Sequence, residues 1–243
     1  MGEQVGQILE RVLRETNAWV NPYFVALRDS SFEKDDFVET QIQFYFAVVF
    51  FSRPMAVVAA KIPSPELRLE VMRNVWEEHG EGEVAKIHGQ TFRELLHRLD
   101  GLDSAAIEAR ALWPEVRSFN TTLTGCSVSD DWEVGTACFG TIERMFVEIS
   151  QWIGAAIVER GWLSAERLVH YNLHEELDVK HADDFFAVLR AGTDDSPEAI
   201  YRIEQGVRMG AYIFDGLYRG LFVARRRRLS QGFTNALSRT HRP

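Results

Sequence analysis

Apolar residues recur at helical spacing along almost the whole chain. Val5, Ile8, Leu9, Val12 and Leu13 mark one face of a first helix that fades by Asn17. Asn21-Pro22 opens a short second segment. Ser30, with Glu33 three residues later, has the form of a capping box launching a long helix to about Lys61. Ser64-Pro65 supplies a cap and a first-turn proline for a helix towards Glu78. Gly80 and Gly82 weaken helix, and periodicity resumes from Val84 to about Leu99 before Asp100-Gly101 ends it. Shorter segments at about 105–112 and 115–123 are split by Pro114. Asp130-Asp131 opens a long apolar helix to about Arg160, closed by Gly161. Ser164-Ala165-Glu166 begins another to about Arg190, and Ser196-Pro197-Glu198 begins the last, extending towards Arg228. No stretch alternates like a strand, no long-period repeat occurs, and no linker divides the chain. The pattern predicts one all-α domain of about seven main helices over residues 1–228, then a basic, frayed tail over 229–243.

Composition adds constraints. The chain has 243 residues, 46% of them apolar and 26% charged, enough for one full hydrophobic core. No apolar run reaches the ~20 residues of a membrane span, and Phe44–Phe51 stops at Ser52-Arg53-Pro54. Glu3 and the lack of an early basic segment argue against a signal peptide. Two cysteines, Cys126 and Cys138, make no disulfide scaffold, so a cytoplasmic protein without membrane contact is expected. The net charge is −9, yet Arg225–Pro243 holds six arginines and no acid. Subtracting those six charges from −9 leaves −15 for the preceding residues. An acidic body argues against nucleic acid as a partner, because phosphate binding needs a continuous basic surface. The Arg225–Arg228 run reads as a solvated helix end, where cations are favoured.

Some of the surplus acid has a chemical use. In His174-Glu175-Glu176-Leu177-Asp178-Val179-Lys180-His181, spacings of four and seven put His174, Asp178 and His181 on one helix face. Two imidazoles and a carboxylate suit iron or another borderline metal; a solvated polar stripe is the competing reading. A second cluster is Asn74-Val75-Trp76-Glu77-Glu78-His79-Gly80-Glu81-Gly82, followed by His88. The third piece is Glu143, set in the apolar run Ala137–Phe146. A carboxylate there must be neutralised or bound, because an unpaired buried charge costs several kcal/mol. Glu148 reads as a surface acid. Carboxylates and histidines projecting from separate helices are how helical bundles hold dinuclear iron.

In these residues the chain resembles the haem-oxygenase-like diiron oxidases. These are relatives of the thiaminase-like and pyrroloquinoline-quinone-synthase folds that carry iron in place of haem. The likeness rests on the order Asn-x-x-Glu-Glu … His, a buried Glu, then His-x-x-x-Asp-x-x-His, and runs from the Phe32–Pro54 helix to the last helix. It implies a haem-oxygenase-like bundle with two Fe ions as cofactor and O2 as cosubstrate. It makes Glu78 the first carboxylate, His88 its partner, Glu143 a bridging or capping ligand, and His174, Asp178 and His181 the rest of the set. Ten residues do not return to one helical face, whereas the seven from Glu81 to His88 do. Unwinding at Gly80 and Gly82 reconciles Glu78 with His88, and Glu81 and Glu77 remain alternatives. Such a segment is expected to be poorly ordered without metal and to order on binding it.

Members of that family cleave or desaturate amino acids, decarboxylate fatty acids, N-oxygenate amines, or make 4-aminobenzoate from their own tyrosine. The last group's tyrosine aligns with Phe24, one position from Tyr23, and its lysine with Ile153, which disfavours that chemistry. N-oxygenating members carry a carboxylate three before the first-helix histidine, where Ala85 stands. The likeness therefore implies a non-haem diiron oxidase of a small amino-acid or carboxylate substrate, placed in natural-product biosynthesis. Desaturation, oxidative C–C cleavage or cyclisation would begin with hydrogen-atom abstraction. An external electron donor and a homodimer are possible partners. The alternatives are a diiron N-oxygenase of a primary amine, a thiaminase-like C–N hydrolase using Cys138, and a non-catalytic partner-binding bundle. Cys138 itself reads as a core thiol.

Candidate pocket residues are Phe44, Tyr45, Phe50, Phe51, Phe139, Phe146, Trp152, Phe185 and Tyr212. Arg53, Lys61, Arg144 and Arg202 are candidate partners of a substrate carboxylate, and Arg144, Phe50 and Phe146 are carried forward as substrate contacts. His79 and His97 read as surface residues, His241 as part of the tail, and His170, one turn before His174, as a candidate neighbour of the metal.

Overall fold

Ten α-helices occupy the described residues, 2–231, of the computed structural model; the side chains of 169 and 172–178 are outside that description. They are α1 Gly2–Thr16, α2 Pro22–Arg28, α3 Lys34–Lys61, α4 Pro65–Glu78, α5 His88–Asp100, α6 Ser104–Glu108, α7 Pro114–Val128, α8 Trp132–Glu159, α9 Val169–Gly192 and α10 Pro197–Ala224. Single 3-10 turns cover Ala18–Val20, Gly80–Gly82, Val84–Lys86 and Ala165–Arg167. The fold is an all-α bundle, with no strand among the described residues.

Local chemistry sets several of the helix starts. The Asn21 side chain accepts the Tyr23 amide at 3.0 Å, and the Ser64 and Ser196 hydroxyls accept those of Leu67 and Ala199 at 3.3 and 3.2 Å. A proline follows each cap, where its missing N–H costs nothing. The expected Ser30 capping box is absent: Ser30 lies at φ 64, and α3 begins after Glu33, which makes no side-chain cap. The helix expected from Val84 starts instead at His88, because the chain first makes two tight turns.

The most apolar helix, α8, runs through the centre and packs against α2, α3, α7, α9 and α10. Its contact with α10 needs glycine. A Cβ on Gly210 would lie 2.5 Å from the Cys138 carbonyl oxygen, and one on Gly206 would meet the Val134 carbonyl.

The helix α3 continues through Pro54 to Lys61, as its pattern predicts; against the expectation that no stretch reaches a span, it is long and apolar enough, by length and composition, to cross a membrane. In the bundle, half of its most apolar window is buried. Its buried Gln43 is satisfied from inside: it donates to the Ala111 carbonyl at 3.0 Å and accepts the Trp113 amide at 2.9 Å.

The arginine run also departs from expectation. Arg227 pairs with Glu115 at 2.8 and 3.1 Å, and Arg228 with Asp36 at 2.8 Å. These contacts clamp the end of α10 to α7 and α3. Burial pushes the Glu39 carboxyl above its usual range, opposed by Arg110 and Arg228. Beyond α10, Leu229 and Gln231 bond to the backbone of Ala111 and Ala109 at 2.9 and 2.8 Å. The rest of the expected tail, including His241, lies outside the described residues.

The substitution Gly206→Val is expected to lower the unfolding free energy by about 1–3 kcal/mol or more through overpacking. Gly216→Ala, on open helix surface in α10, should leave it unchanged or raise it. Thermal unfolding of the two variants checks this.

Candidate metal centre

The C-terminal turn of α4 carries Asn74, Glu77 and Glu78, and the chain must then double back to deliver His88. Gly80 at φ 65 and Gly82 at φ 89 make the turn possible. A Cβ on Gly80 would lie 2.7 Å from the Lys86 carbonyl carbon, so only glycine allows the two 3-10 turns to close on each other. Between them Glu81 sits at φ 54, its side chain exposed. The fold-back brings His88 Nδ1 to 2.5 Å from Glu78 Oε2, with both side chains buried. This supplies the unwinding that ten-residue spacing requires. Of the three acids considered, Glu78 turns inward, Glu81 faces solvent, and Glu77 packs against α9.

Opposite lie α8 and α9. Glu143 is buried on the central helix, and His181 is fully buried on α9. Donor atoms of Glu78, Glu143 and His181 all lie within 4.8 Å of one another. His181 Nε2 meets Glu77 Oε2 at 2.7 Å, while Nδ1 faces Glu143 Oε1 at 3.9 Å and has no hydrogen-bond partner. A buried, unpartnered imidazole nitrogen beside two buried carboxylates is the donor chemistry a divalent cation fits. The side chains of His174 and Asp178 lie outside the described residues, although their backbone belongs to the same helix, α9.

Beside the acids, a cavity of about 50 Å³ is lined by Phe44, Phe51, Phe119, Ile142, Phe146 and Phe214, with Glu78, His88, Glu143 and His170 at its polar end. One water needs ~10–15 Å³ on this measure, so the space suits a few small groups. Among the described lining residues there is no lysine or arginine. His170 is 1% exposed. Thr91 Oγ1 donates to the His88 carbonyl at 3.0 Å and so acts as acceptor towards His170 Nδ1, also at 3.0 Å.

Next to His170, Tyr171 donates to Gln41 Oε1 at 2.6 Å. Gln41 Nε2 donates to Tyr23 Oη at 2.8 Å, and Tyr23 in turn donates to Thr40 Oγ1 at 2.8 Å. The chain of bonds ties α2, α3 and α9 together, and burial pushes the hydroxyl pKa of Tyr23 and Tyr171 upward. Nothing in sequence spacing links these residues; their polarity inside apolar helices was the available signal.

Several expected contacts fall elsewhere. Phe44, Phe51 and Phe146 line the cavity, whereas Phe50 meets the exposed Arg53 on the outer face of α3 and Tyr212 is 76% exposed. Phe139 and Phe185 pack in the core, and Trp152 lies against Trp19 near the surface. Arg144 bonds Glu148 at 3.1 Å in a separate groove, Lys61 reaches the Asp130 carbonyl, and Arg202 holds Glu133 at 2.9 Å. Arg53 is exposed. None of the four cations is among the described lining residues. Cys138 is fully buried, and its hydrogen bond with Cys126, together with burial, pushes its thiol pKa well up. It is a core thiol with its pKa raised, the reverse of a catalytic thiolate. His79 and His97 are at the surface.

Solved structures share this architecture. A CADD-like protein of unknown function from Nostoc punctiforme superposes with a TM-score of 0.75 at 13% identity, over 90% of this chain and 96% of its own. A TenA homologue from P. horikoshii OT3 gives 0.70 at 13% identity, over 90% and 98%. A domain of unknown function with a haem-oxygenase-like fold from Shewanella denitrificans gives 0.70 at 13%, over 91% and 90%. At such identities they establish the fold alone. No curated protein matches significantly. The sequence profile of the iron-containing redox enzymes matches residues 38–214, a span that takes in Glu78, His88, Glu143 and His181. The haem-oxygenase-like fold and the profile agree, and the chain belongs to the iron-containing redox enzyme family.

Proposed function

We propose that the protein is an O2-activating non-haem diiron oxidase of a small amino-acid or carboxylate substrate. The observation that carries this reading is the buried Glu78–Glu143–His181 group, with its unpartnered imidazole nitrogen, at the polar end of an apolar cavity. Glu78, His88, Glu143 and His181 would hold the metal, with His174 and Asp178 completing a set for two iron ions. Iron, when bound, supplies the one-electron chemistry by which O2 removes a hydrogen atom from an unactivated carbon.

The chain's own part is to exclude water and to orient. Phe44, Phe51, Phe119, Phe146 and Phe214 line the cavity and would shield a bound substrate's reacting carbon from bulk water. Thr91 fixes the His170 ring at the cavity edge, and the Tyr171–Gln41–Tyr23 bonds hold the backbone behind it. A second reading, N-oxygenation of a primary amine, draws support from the acid-rich polar end and from the lack of a cation among the described lining residues.

Anaerobic Fe(II) titration should show tight binding that alanine at Glu143 or His181 abolishes, and O2 should change the optical spectrum of the loaded wild type only. Binding unaltered in both variants would contradict the site. Product mass separates the two readings: loss of two hydrogens marks desaturation, gain of oxygen marks N-oxygenation. Hydrogen exchange of residues 79–88 is expected to slow at least tenfold when metal binds, because two ligands flank that glycine-dependent turn. Cys138→Ser should retain both iron binding and the O2 response, whereas a nucleophilic role would cost orders of magnitude.

A further inference from the structure

We propose that Glu77 is a positioning residue for the metal centre, holding the His181 ring with its proton on Nε2 so that the Nδ1 lone pair faces Glu78 and Glu143. The inference rests on the metal reading above. It separates Glu77 from the alternative of serving as a ligand.

The hydrogen bond sets the proton. Glu77 Oε2 lies 2.7 Å from His181 Nε2, and a carboxylate oxygen facing a ring nitrogen is placed to accept, which in the proposal makes Nε2 the donor. The His181 side chain is 0% exposed, which leaves no water to compete for that nitrogen. With Nε2 protonated, the neutral ring carries its lone pair on Nδ1, the atom that has no hydrogen-bond partner and looks towards Glu143 at 3.9 Å. Glu77 stands outside the close group formed by Glu78, Glu143 and His181.

Glu77 is itself held. Lys180 Nζ lies 3.3 and 3.4 Å from its two oxygens and 3.0 Å from Asp184, so the lysine keeps a positive charge against the carboxylate. One turn earlier on α4, Asn74 Nδ2 donates to the His181 carbonyl at 3.4 Å. The segment Asn74-x-x-Glu77-Glu78 therefore grips His181 by backbone and by ring, and presents Glu78 from the next residue. A carboxylate behind a ligating histidine fixes its tautomer and raises its basicity, and losing one typically costs 10–100-fold in metal affinity.

The test uses the full-length chain and two readouts. Nitrogen-15 NMR of the metal-free protein at mildly alkaline pH, with the His181 signals identified by their absence from H181N, reports which ring nitrogen carries the proton. Co(II) titration followed by absorbance reports affinity in wild type, E77A and E77Q. The expected results are an Nε2–H ring in wild type, a 10–100-fold weaker Co(II) site in E77A, and a smaller loss in E77Q, which keeps an acceptor. A ring protonated on Nδ1 in wild type would overturn the proposal, as would E77A binding Co(II) within twofold of wild type. If E77A fails to fold, the wild-type tautomer decides. A wild type that binds no Co(II) refutes the metal reading instead, and the tautomer still judges the role of Glu77.

Discussion

Two carboxylates face each other inside an apolar bundle, and the rest of the molecule is arranged around that cost. Glu78 and Glu143 are 5% and 4% exposed, with donor atoms within 4.8 Å. Like charges at that range, removed from water, raise the free energy by several kcal/mol unless protons or cations neutralise them. The described lining residues supply imidazoles rather than lysine or arginine. Imidazole can neutralise an acid when protonated and bind a metal when neutral, so a histidine-lined acid pair can exchange protons for metal ions. The glycine turn after α4, the apolar course of α8 and the placement of His181 on α9 all serve to keep these groups together.

Acids elsewhere are treated differently. Glu39, Glu115 and Glu133 are buried or half-buried and each meets arginine: Arg110 at 3.1 Å, Arg227 at 2.8 Å and Arg202 at 2.9 Å. Guanidinium is permanently charged and suits a pair that must never open. Among the described residues the buried acids thus divide into Glu39 and Glu133, locked by arginine, and Glu78 and Glu143, met by histidine. The arginine run after α10 belongs to the first class, and its partners lie on α3 and α7.

Periodicity made the helices legible, with Asn21, Ser64 and Ser196 marking starts that the structure caps as expected. It failed where backbone conformation overrides pattern. Ser30 adopts positive φ and cannot cap α3, and the turns between Gly80 and Lys86 consume residues that read as helix from Val84. Within the site, Glu143 stood out because a charge in an apolar run needs a reason, whereas Glu78 came from the family likeness and needed the helix to unwind at Gly80 and Gly82. Arg144 and Phe50 could not be placed correctly, since a helical face visible in sequence does not tell which neighbour it meets. The role of Glu77 was invisible for the same reason: its contact with His181 joins helices that are adjacent only in the folded chain.

The claim that the histidine-lined acids hold a pair of irons is tested most directly by 57Fe Mössbauer spectroscopy, with iron counting, on anaerobically loaded and then air-oxidised full-length protein. The account predicts two irons per chain, giving a magnetically coupled diferric spectrum. A single iron per chain, or two uncoupled ones, would contradict it.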